Sequence, residues 1–145
     1  MDSKTGPCVF CVMPEEKIVA QNPLAYAVRD NAPVTPRHTL ILPRRHVPCY
    51  FDLETDEKQA LDELVDQTWR AVLLRDMSVA GFNIGINIGK VAGQTIFHCH
   101  VHLIPRRPGD ALYPEGGIHA AIRQVLGRSA SGPRSSFRKR PRRRC

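Results

Sequence analysis

The stretch IFHCHVHLIP (residues 96–105) places a histidine at every second position, with apolar or weakly polar residues between them. In a β strand, alternate residues point to the same face. The alternation therefore predicts a strand with His98, His100 and His102 on one face. Cys99 points to the other face, where we expect it to pack against a helix. This geometry largely removes Cys99 from any metal site shared with the histidines.

The residues before this stretch predict a small antiparallel sheet. FNIGINIG (82–89) also alternates, and a glycine-containing link from Lys90 to Thr95 joins it to the histidine stretch as a hairpin-like pair of strands. Further upstream, residues 17–30 predict two short strands broken at Asn22-Pro23. A loop with two prolines over 31–37 then leads to the apolar, β-type run 38–42.

One long helix is predicted over about residues 56–75. Thr55 is a capping residue, and the acids that follow it favour the positive end of the helix dipole. One apolar stripe recurs at steps of three and four and comprises Leu61, Leu64, Val65, Thr68, Trp69, Val72 and Leu73. We expect Trp69 to be a core anchor. The predicted fold class is α+β, an antiparallel sheet of about five strands with one long helix packed on it.

The charge distribution divides the chain in two. All 14 acidic residues lie at or before Glu115, whereas eight of the 21 basic residues lie from Arg128 onward. Residues 1–127 are therefore close to neutral and form one predicted domain, and the net charge of +7 comes from a basic tail over 128–145. The tail is low in apolar residues and is predicted to be disordered. It could grip nucleic acid through phosphates, or be an extension without that role.

Composition and cysteine usage predict a cytoplasmic protein without membrane association. No apolar run approaches the roughly 18 residues that a membrane span needs, and the first residues lack the layout of a signal peptide. The five cysteines are an odd number, and two of them form Cys8-x-x-Cys11, a spacing typical of metal or redox chemistry.

The three histidines are poorly arranged to share one ion. Strand rise puts the outer pair roughly 13 Å apart, whereas zinc needs nitrogen ligands at about 2.1 Å from the metal. They could be buried histidines of the core, but three imidazoles would then need three separate hydrogen-bond arrangements. A polar, partly open face is the favoured interpretation, and histidine suits nucleophilic and acid–base chemistry near neutral pH.

The residues just before the histidine stretch indicate a phosphate as the group attacked. Lys90, Gly93, Gln94 and Thr95 offer small residues, an amide and a hydroxyl, which can present hydrogen-bond donors to phosphate oxygens.

The same residues resemble a known family. His98-Cys-His100-Val-His102-Leu-Ile fits the histidine-triad (HIT) pattern, in which three histidines alternate with apolar residues. The resemblance extends to GQT before it, IPRRPGD after it, AYAVRDNAPVTPRHTLILPRRH (25–46) and CVFC near the N-terminus, so it covers roughly residues 8 to 110. The chain is most similar to bacterial HIT hydrolases described as acting on dinucleoside polyphosphates.

The resemblance implies nucleotidyl transfer to water. His100 would attack the α-phosphate of a nucleotide and form a nucleotidyl-histidine, His102 would stabilise the phosphate and help the leaving group, and His98 would orient His100 through its backbone carbonyl. His38 matches an additional active-site histidine of the family. The implied substrate-binding residues are Asp30 for the ribose hydroxyls, and Asn87, Gln94 and Thr95 for phosphate.

The resemblance also implies a metal. Some members of the family bind structural zinc through a CxxC pair, a later histidine and the first histidine of the triad. The corresponding residues here are Cys8, Cys11, His46 and His98, and two thiolates with two imidazoles suit tetrahedral zinc. The alternative is that Cys8 and Cys11 are a pair of buried thiols. The zinc would be structural, because binding at His98 leaves His100 free.

The sequence therefore predicts an enzyme that hydrolyses a dinucleoside polyphosphate or a nucleoside phosphoramidate. The family commonly dimerises, so a homodimer is expected by resemblance. Two alternatives remain, the removal of adenylate from nucleic-acid ends and a zinc-stabilised module that binds nucleotide without turnover.

Overall fold

A computed structural model describes residues 6–111 and Gly117 of the chain. Its strands are β1 (Ile18–Gln21), β2 (Ala25–Arg29), β3 (Thr39–Pro43), β4 (Gly81–Gly85) and β5 (Val101–Arg106), and its helix is α1 (Thr55–Arg75). The predicted basic tail over 128–145 lies outside the described residues, so its predicted disorder and its link to nucleic acid stay predictions. The described part of the chain contains no helix with the length and apolar character needed to cross a membrane.

The five strands form one antiparallel sheet in the order β1-β2-β3-β5-β4. The turn at Asn22-Pro23 separates β1 from β2, as predicted, and the Asn22 side chain accepts hydrogen bonds from the N–H groups of Leu24 and Ala25. β5 lies between β3 and β4, with Leu40 of β3 opposite His102. The α+β prediction is therefore confirmed, and the histidine strand lies inside the sheet rather than at its edge.

The sheet is covered on both faces, which explains why β2 and β3 are almost continuously buried. On one face, α1 packs on an apolar cluster that includes Ile41, Cys99 and Leu103. On the other face, the N-terminal segment lies over a second cluster, in which Phe10 contacts the side of the sheet that carries Tyr26 and Leu42. Cys99 therefore packs on the helix side, as the alternation predicts.

Two details of the helix prediction are wrong. Trp69 is 39% exposed and is not a core anchor, because the buried stripe of α1 passes through Leu64, Thr68 and Val72 at steps of four. The helix also begins differently, with Glu54 and not Thr55 as its N-cap. The Glu57 side chain accepts a hydrogen bond from the Glu54 N–H at 2.9 Å, which satisfies one of the free donors at this end of the helix.

The predicted hairpin is present but much shorter than its alternation suggests. β4 ends at Gly85, and β5 begins only at Val101, so residues 86–100 form a wide loop that contains a 3-10 turn over Lys90–Ala92. His98 and His100 therefore precede the strand that they were predicted to occupy. Cys99 leaves the sheet ladder because its N–H donates to the carbonyl of Val47 at 2.6 Å.

Candidate active site and metal centre

Four histidines converge on the sheet face opposite the helix. His98 and His100 lie just before β5, His102 lies on β5, and His38 immediately precedes β3, the neighbouring strand. His98, His100 and His38 are buried, and His102 is partly buried. The site thus combines three residues that are close in sequence with one that the sheet order brings beside them.

One ring nitrogen of His98 is held by the main chain, and the other faces the two cysteines. Its Nε2–H donates to the carbonyl of Pro43 at 2.8 Å, which places the proton on Nε2. Nδ1 then carries a lone pair, and it lies 3.7 Å from the Sγ atoms of both Cys8 and Cys11. Burial lowers the pKa of His98, which keeps the ring neutral as a metal ligand must be.

The donor atoms of Cys8, Cys11, His46 and His98 all lie within 4.8 Å of one another. Cys11 Sγ is also 3.3 Å from Nδ1 of His46. A tight turn brings the two thiols together, since the Cys11 N–H donates to the Cys8 carbonyl at 2.9 Å. Two sulfurs and two imidazoles in one cluster fit zinc, and the Pro43 carbonyl supplies the outer hydrogen bond that orients such histidine ligands.

The two thiols raise a charge problem that a divalent cation would relieve. Desolvation raises the pKa of Cys11, and the nearby Cys8 raises it further through a hydrogen bond and through the repulsion between two thiolates. Zinc binds the thiolate forms and would offset this repulsion.

The contact of His100 with the His98 main chain fixes which of its ring nitrogens carries a lone pair. Its Nδ1–H donates to the His98 main-chain carbonyl at 2.7 Å, so Nε2 carries the lone pair. The ring lies between Phe10, with ring centres 5.3 Å apart, and His102, with ring centres 4.9 Å apart. One main-chain bond and two flanking rings therefore restrict its orientation.

His102 is hydrogen-bonded to His38, and Asp30 lies beside that pair. His102 Nδ1 is 2.9 Å from His38 Nε2, and Asp30 Oδ2 lies 3.5 Å from the same nitrogen of His38. Burial, with smaller contributions from His100 and His38, lowers the pKa of His102 to about 4, so the ring is neutral at neutral pH. Within the described residues, its buried Nε2 has no hydrogen-bond partner.

These histidines lie within a stretch of the sequence that matches a known protein family. The model of the HIT domain matches residues 13–109, which is most of the chain. The chain belongs to the HIT family.

Relatives with described activities or bound metal are among the HIT proteins that this chain is similar to. It is 38% identical over 105 residues to the bifunctional bis(5'-adenosyl)-triphosphatase/adenylylsulfatase FHIT of Arabidopsis thaliana, covering 72% of this chain and 56% of that protein. The structure is similar to that of a Zn-bound histidine triad family protein from Mycobacterium smegmatis, with a TM-score of 0.66, 30% identity and coverage of 83% of this chain and 96% of the other. It is also similar to Plasmodium falciparum diadenosine triphosphate hydrolase in complex with Cyclomarin A, with a TM-score of 0.61, 28% identity and coverage of 68% and 66%.

The loop before the HIT histidines separates the three residues predicted to contact phosphate. Gln94 is buried, and both ends of its amide are used by main chain. Its Oε1 accepts from the Gly89 N–H at 2.8 Å, and its Nε2 donates to the Pro48 and Ile96 carbonyls at 2.8 and 3.3 Å. Gln94 thus holds the loop rather than offering a free donor. Thr95 is exposed and Asn87 partly exposed, so both remain accessible.

Two residues of this HIT site, Phe10 and Val34, are not among those predicted from the sequence. Phe10 lies between the two cysteines, and its ring is also edge-on to His98 with ring centres 5.8 Å apart. Its carbonyl accepts a hydrogen bond from the Tyr26 hydroxyl. Val34 donates its main-chain N–H to His38 Nδ1 at 3.1 Å. An apolar residue inside a CxxC motif was a usable signal for Phe10, but no sequence pattern indicates a main-chain donor such as that of Val34.

Proposed function

We propose that this HIT protein is a nucleotide hydrolase that cleaves at the α-phosphate of a dinucleoside polyphosphate or a nucleoside phosphoramidate. The reaction would pass through a nucleotidyl-histidine intermediate. The observation that carries the proposal is the pairing of His100, whose Nε2 holds a lone pair, with the neighbouring neutral imidazole of His102. An imidazole nucleophile beside a second imidazole that contacts the leaving group is a suitable arrangement for nucleotidyl transfer.

In the first proposed step, His100 Nε2 attacks the α-phosphorus and the bond to the leaving group breaks. The ring becomes positively charged as its new N–P bond forms. Its Nδ1–H bond to the His98 carbonyl then strengthens, because the donor is now cationic. His102 stabilises the negative charge that develops on the phosphoryl group and the leaving atom.

In the second proposed step, water attacks the same phosphorus and the N–P bond breaks. The water proton is released, the nucleoside monophosphate leaves, and His100 returns to the neutral form with its proton on Nδ1. The two steps together add one water across one phosphoric anhydride or phosphoramidate bond.

Two further groups of residues support nucleotide binding. Asp30 is partly buried at the end of β2 beside His38, and we propose that its carboxylate accepts hydrogen bonds from ribose hydroxyls. Asn87 and Thr95 are accessible polar residues of the loop before the histidines, and we propose that they donate to phosphate oxygens. Gln94 would act indirectly by fixing the shape of that loop.

The described activities of two relatives support this choice of substrate. One is a bis(5'-adenosyl)-triphosphatase/adenylylsulfatase, and one structural neighbour is a diadenosine triphosphate hydrolase. The substrates of those two proteins have a nucleotide joined through its phosphate to a second group. Cleavage beside the α-phosphate by His100 would suit substrates of this kind.

We also propose that Cys8, Cys11, His46 and His98 bind a structural zinc ion. The support is their common cluster and the Zn-bound histidine triad protein among the structural neighbours. When bound, zinc would fix the N-terminal turn to the segment that carries His98. It would contribute to the orientation of His100 through the His98 carbonyl and would not enter the reaction itself.

A homodimer is the proposed assembly. Trp69 and Leu73 are four residues apart and share one partly exposed apolar face on the C-terminal half of α1, which we call the exposed apolar stripe. Met77, just beyond the helix end, is 98% exposed. Exposed apolar side chains on this helix face, with Met77 close to its end, favour association with a second copy of the chain.

Turnover and substrate preference distinguish two alternative functions from the proposed hydrolase. A non-catalytic, zinc-stabilised module would bind nucleotide but form no covalent intermediate. An enzyme that removes adenylate from nucleic-acid ends would form the intermediate and prefer adenylylated nucleic acid over small nucleotides.

The deciding experiment is to trap the intermediate. The full chain is mixed with diadenosine tetraphosphate or adenosine phosphoramidate carrying a labelled α-phosphate, and the reaction is quenched within milliseconds. We expect label bound to the wild-type protein at His100 and multiple turnovers. His100→Ala should lose the label and reduce turnover about a thousandfold or more, because the nucleophile is absent.

Nucleotide binding to His100→Ala, measured by calorimetry, provides the control. Retained affinity shows that the substitution removes chemistry rather than the fold. A wild-type protein that binds these nucleotides without labelling or turnover would instead identify a binding module.

A further inference from the structure

The proton positions on His38 and His102 can be deduced from one main-chain contact. The N–H of Val34 lies 3.1 Å from His38 Nδ1. A backbone N–H can only donate, so Nδ1 of His38 must accept. A neutral imidazole with an acceptor at Nδ1 carries its proton on Nε2.

The deduction continues from His38 to His102. His38 Nε2–H lies 2.9 Å from His102 Nδ1, which must therefore accept and carry a lone pair. The Asp30 carboxylate lies 3.5 Å from the same His38 nitrogen, which is compatible with a proton there, but the hydrogen bond of that nitrogen goes to His102. The proton of neutral His102 then lies on Nε2, the buried nitrogen without a partner among the described residues.

The Val34 donor is held in place by the loop on both sides of it. The Ala32 N–H donates to Asp30 Oδ1 at 2.9 Å, and the His38 N–H donates to the Thr35 carbonyl at 3.1 Å. Thr35 also donates its hydroxyl to the Pro105 carbonyl at 2.5 Å, on the strand that carries His102. The loop and its target histidine are therefore fixed relative to each other.

We propose that the main-chain N–H of Val34, acting through His38, fixes His102 in the tautomer with its proton on Nε2. This inference rests on the proposed hydrolysis and deepens it, since it explains how His102 always offers a donor to the phosphoryl or leaving group. Val34 and His38 are positioning residues in this arrangement. His100 has the opposite tautomer, because its Nδ1 faces the His98 carbonyl, an acceptor. The two neighbouring imidazoles thus differ in role, because Nδ1 of His100 faces a hydrogen-bond acceptor and Nδ1 of His102 faces a donor.

The test reads the tautomers directly. Long-range proton–nitrogen NMR spectra of the full chain with ¹⁵N-labelled histidine distinguish Nδ1–H from Nε2–H rings at neutral pH. We expect His38 and His102 as Nε2–H and His100 as Nδ1–H. A spectrum with the proton of His102 on Nδ1 would overturn the proposal. Detection of a metal ion bound by Asp30, His38 and His102 would also overturn it, because such a metal would need the lone pair of His38 on Nε2.

Two substitutions at one position test the role of the donor. Val34→Pro removes the N–H, whereas Val34→Ala keeps it and shortens a side chain that is already 37% exposed. We expect Val34→Ala to preserve the wild-type tautomers. Val34→Pro should give mixed tautomers at His38 and His102 and lower kcat about tenfold or more, with a much smaller change in KM. Unchanged tautomers in folded Val34→Pro would contradict the proposal.

A further variant covers the case in which the proline substitution does not fold. His38→Phe keeps a ring of similar size but removes the donor to His102, so His102 should again show mixed tautomers. A single Nε2–H tautomer at His102 in this variant would show that His38 does not set it. The spectra need no substrate, so a wild-type protein with the expected tautomers but no hydrolysis would refute the proposed function and leave this inference intact.

Discussion

At the scale of single residues, Glu57 is a buried acid with a hydrogen-bond donor at each of its carboxylate oxygens. It is 5% exposed, and its two carboxylate oxygens accept from Arg45 Nε at 2.8 Å and Arg45 Nη2 at 2.7 Å. It also receives the Glu54 N–H at the start of α1. Glu57 therefore joins the helix start to the segment next to His46, one of the proposed metal ligands.

Replacing this carboxylate should destabilise the protein in a pH-dependent way. Glu57→Gln keeps the size but loses the charge-assisted bonds, and we expect a loss of about 1.5 kcal/mol at neutral pH, since Arg45 is half exposed to solvent. The hydrogen bond from Arg45 lowers the pKa of Glu57 below its usual 4.5. The ionised form therefore stabilises the fold fully above about pH 4.5, and this contribution is lost as the pH falls through the folded pKa.

Urea unfolding of both proteins at several pH values measures this difference. Asp66→Asn is the matched control, because Asp66 pairs with Arg70 on the exposed face of the same helix. That change should stay within about 0.5 kcal/mol. A gap between wild type and Glu57→Gln that widens below pH 4 would contradict the assignment.

At the scale of elements, the loop from 86 to 100 departs most from the predicted strands. The sequence alternates at both ends of this loop, over 86–89 and 96–100, but Gly89 has φ of +85° and ψ of 155°, which a residue with a side chain rarely adopts. Gly89 also exchanges bonds with Gln94, accepting from its N–H at 3.2 Å and donating to its side chain. These bonds close the loop on itself and take it out of the sheet.

Gly89→Ala should therefore strain the loop. We expect a loss of about 2 kcal/mol in unfolding free energy and a raised KM for nucleotide, because the loop carries Asn87 and Thr95. Gly81→Ala serves as the control. Gly81 has an ordinary φ, and nothing lies within 4 Å of an added Cβ. Equal losses for the two variants would show that backbone conformation at Gly89 is not the cause.

At the scale of the whole molecule, the proposed zinc would join the N-terminal segment to the sheet. At free zinc about 100 times its Kd, binding should stabilise the fold by about 2.7 kcal/mol, and chelation should lower Tm accordingly. Cys8→Ser should remove both the metal and the effect of the chelator. Val9→Ala, an exposed residue between the ligands, should keep one zinc per chain by elemental analysis. A wild-type protein without zinc and insensitive to chelators would end the proposal.

The proposed homodimer makes a separate prediction at this scale. Trp69→Glu places a charge in the exposed apolar stripe of α1, and we expect sedimentation of the variant as a monomer at concentrations where wild type is a dimer. Phe51→Glu is the control, since Phe51 is 71% exposed but lies away from that stripe, in the turn before α1. A wild-type protein that sediments as a monomer would exclude the dimer.

The sequence by itself determined most of the secondary-structure elements and which side chains share one face of each element. Residues two apart share a strand face and residues four apart share a helix face, so local pattern predicted the strands, the long helix and the position of Cys99 on the helix side. The same pattern gave a wrong prediction at Trp69. The apolar stripe of the helix is broader than the face that the sheet buries, and the pattern cannot show which side of the stripe stays exposed. It also misled at His98 and His100, where Gly89 and the contact of Cys99 with Val47 end the alternation as sheet.

Only the tertiary structure decided how the histidines differ from one another. Placing β5 beside β3 brings His38 against His102, 64 residues away in the chain, and packing the N-terminal turn on the sheet brings Cys8 against His98, 90 residues away. The partner of each ring nitrogen is a carbonyl, a thiol, an amide or another imidazole, and that partner sets whether the nitrogen donates or accepts. Side-chain type and spacing are local and can be read from the sequence, whereas these partners come from distant segments and exist only once the sheet is assembled.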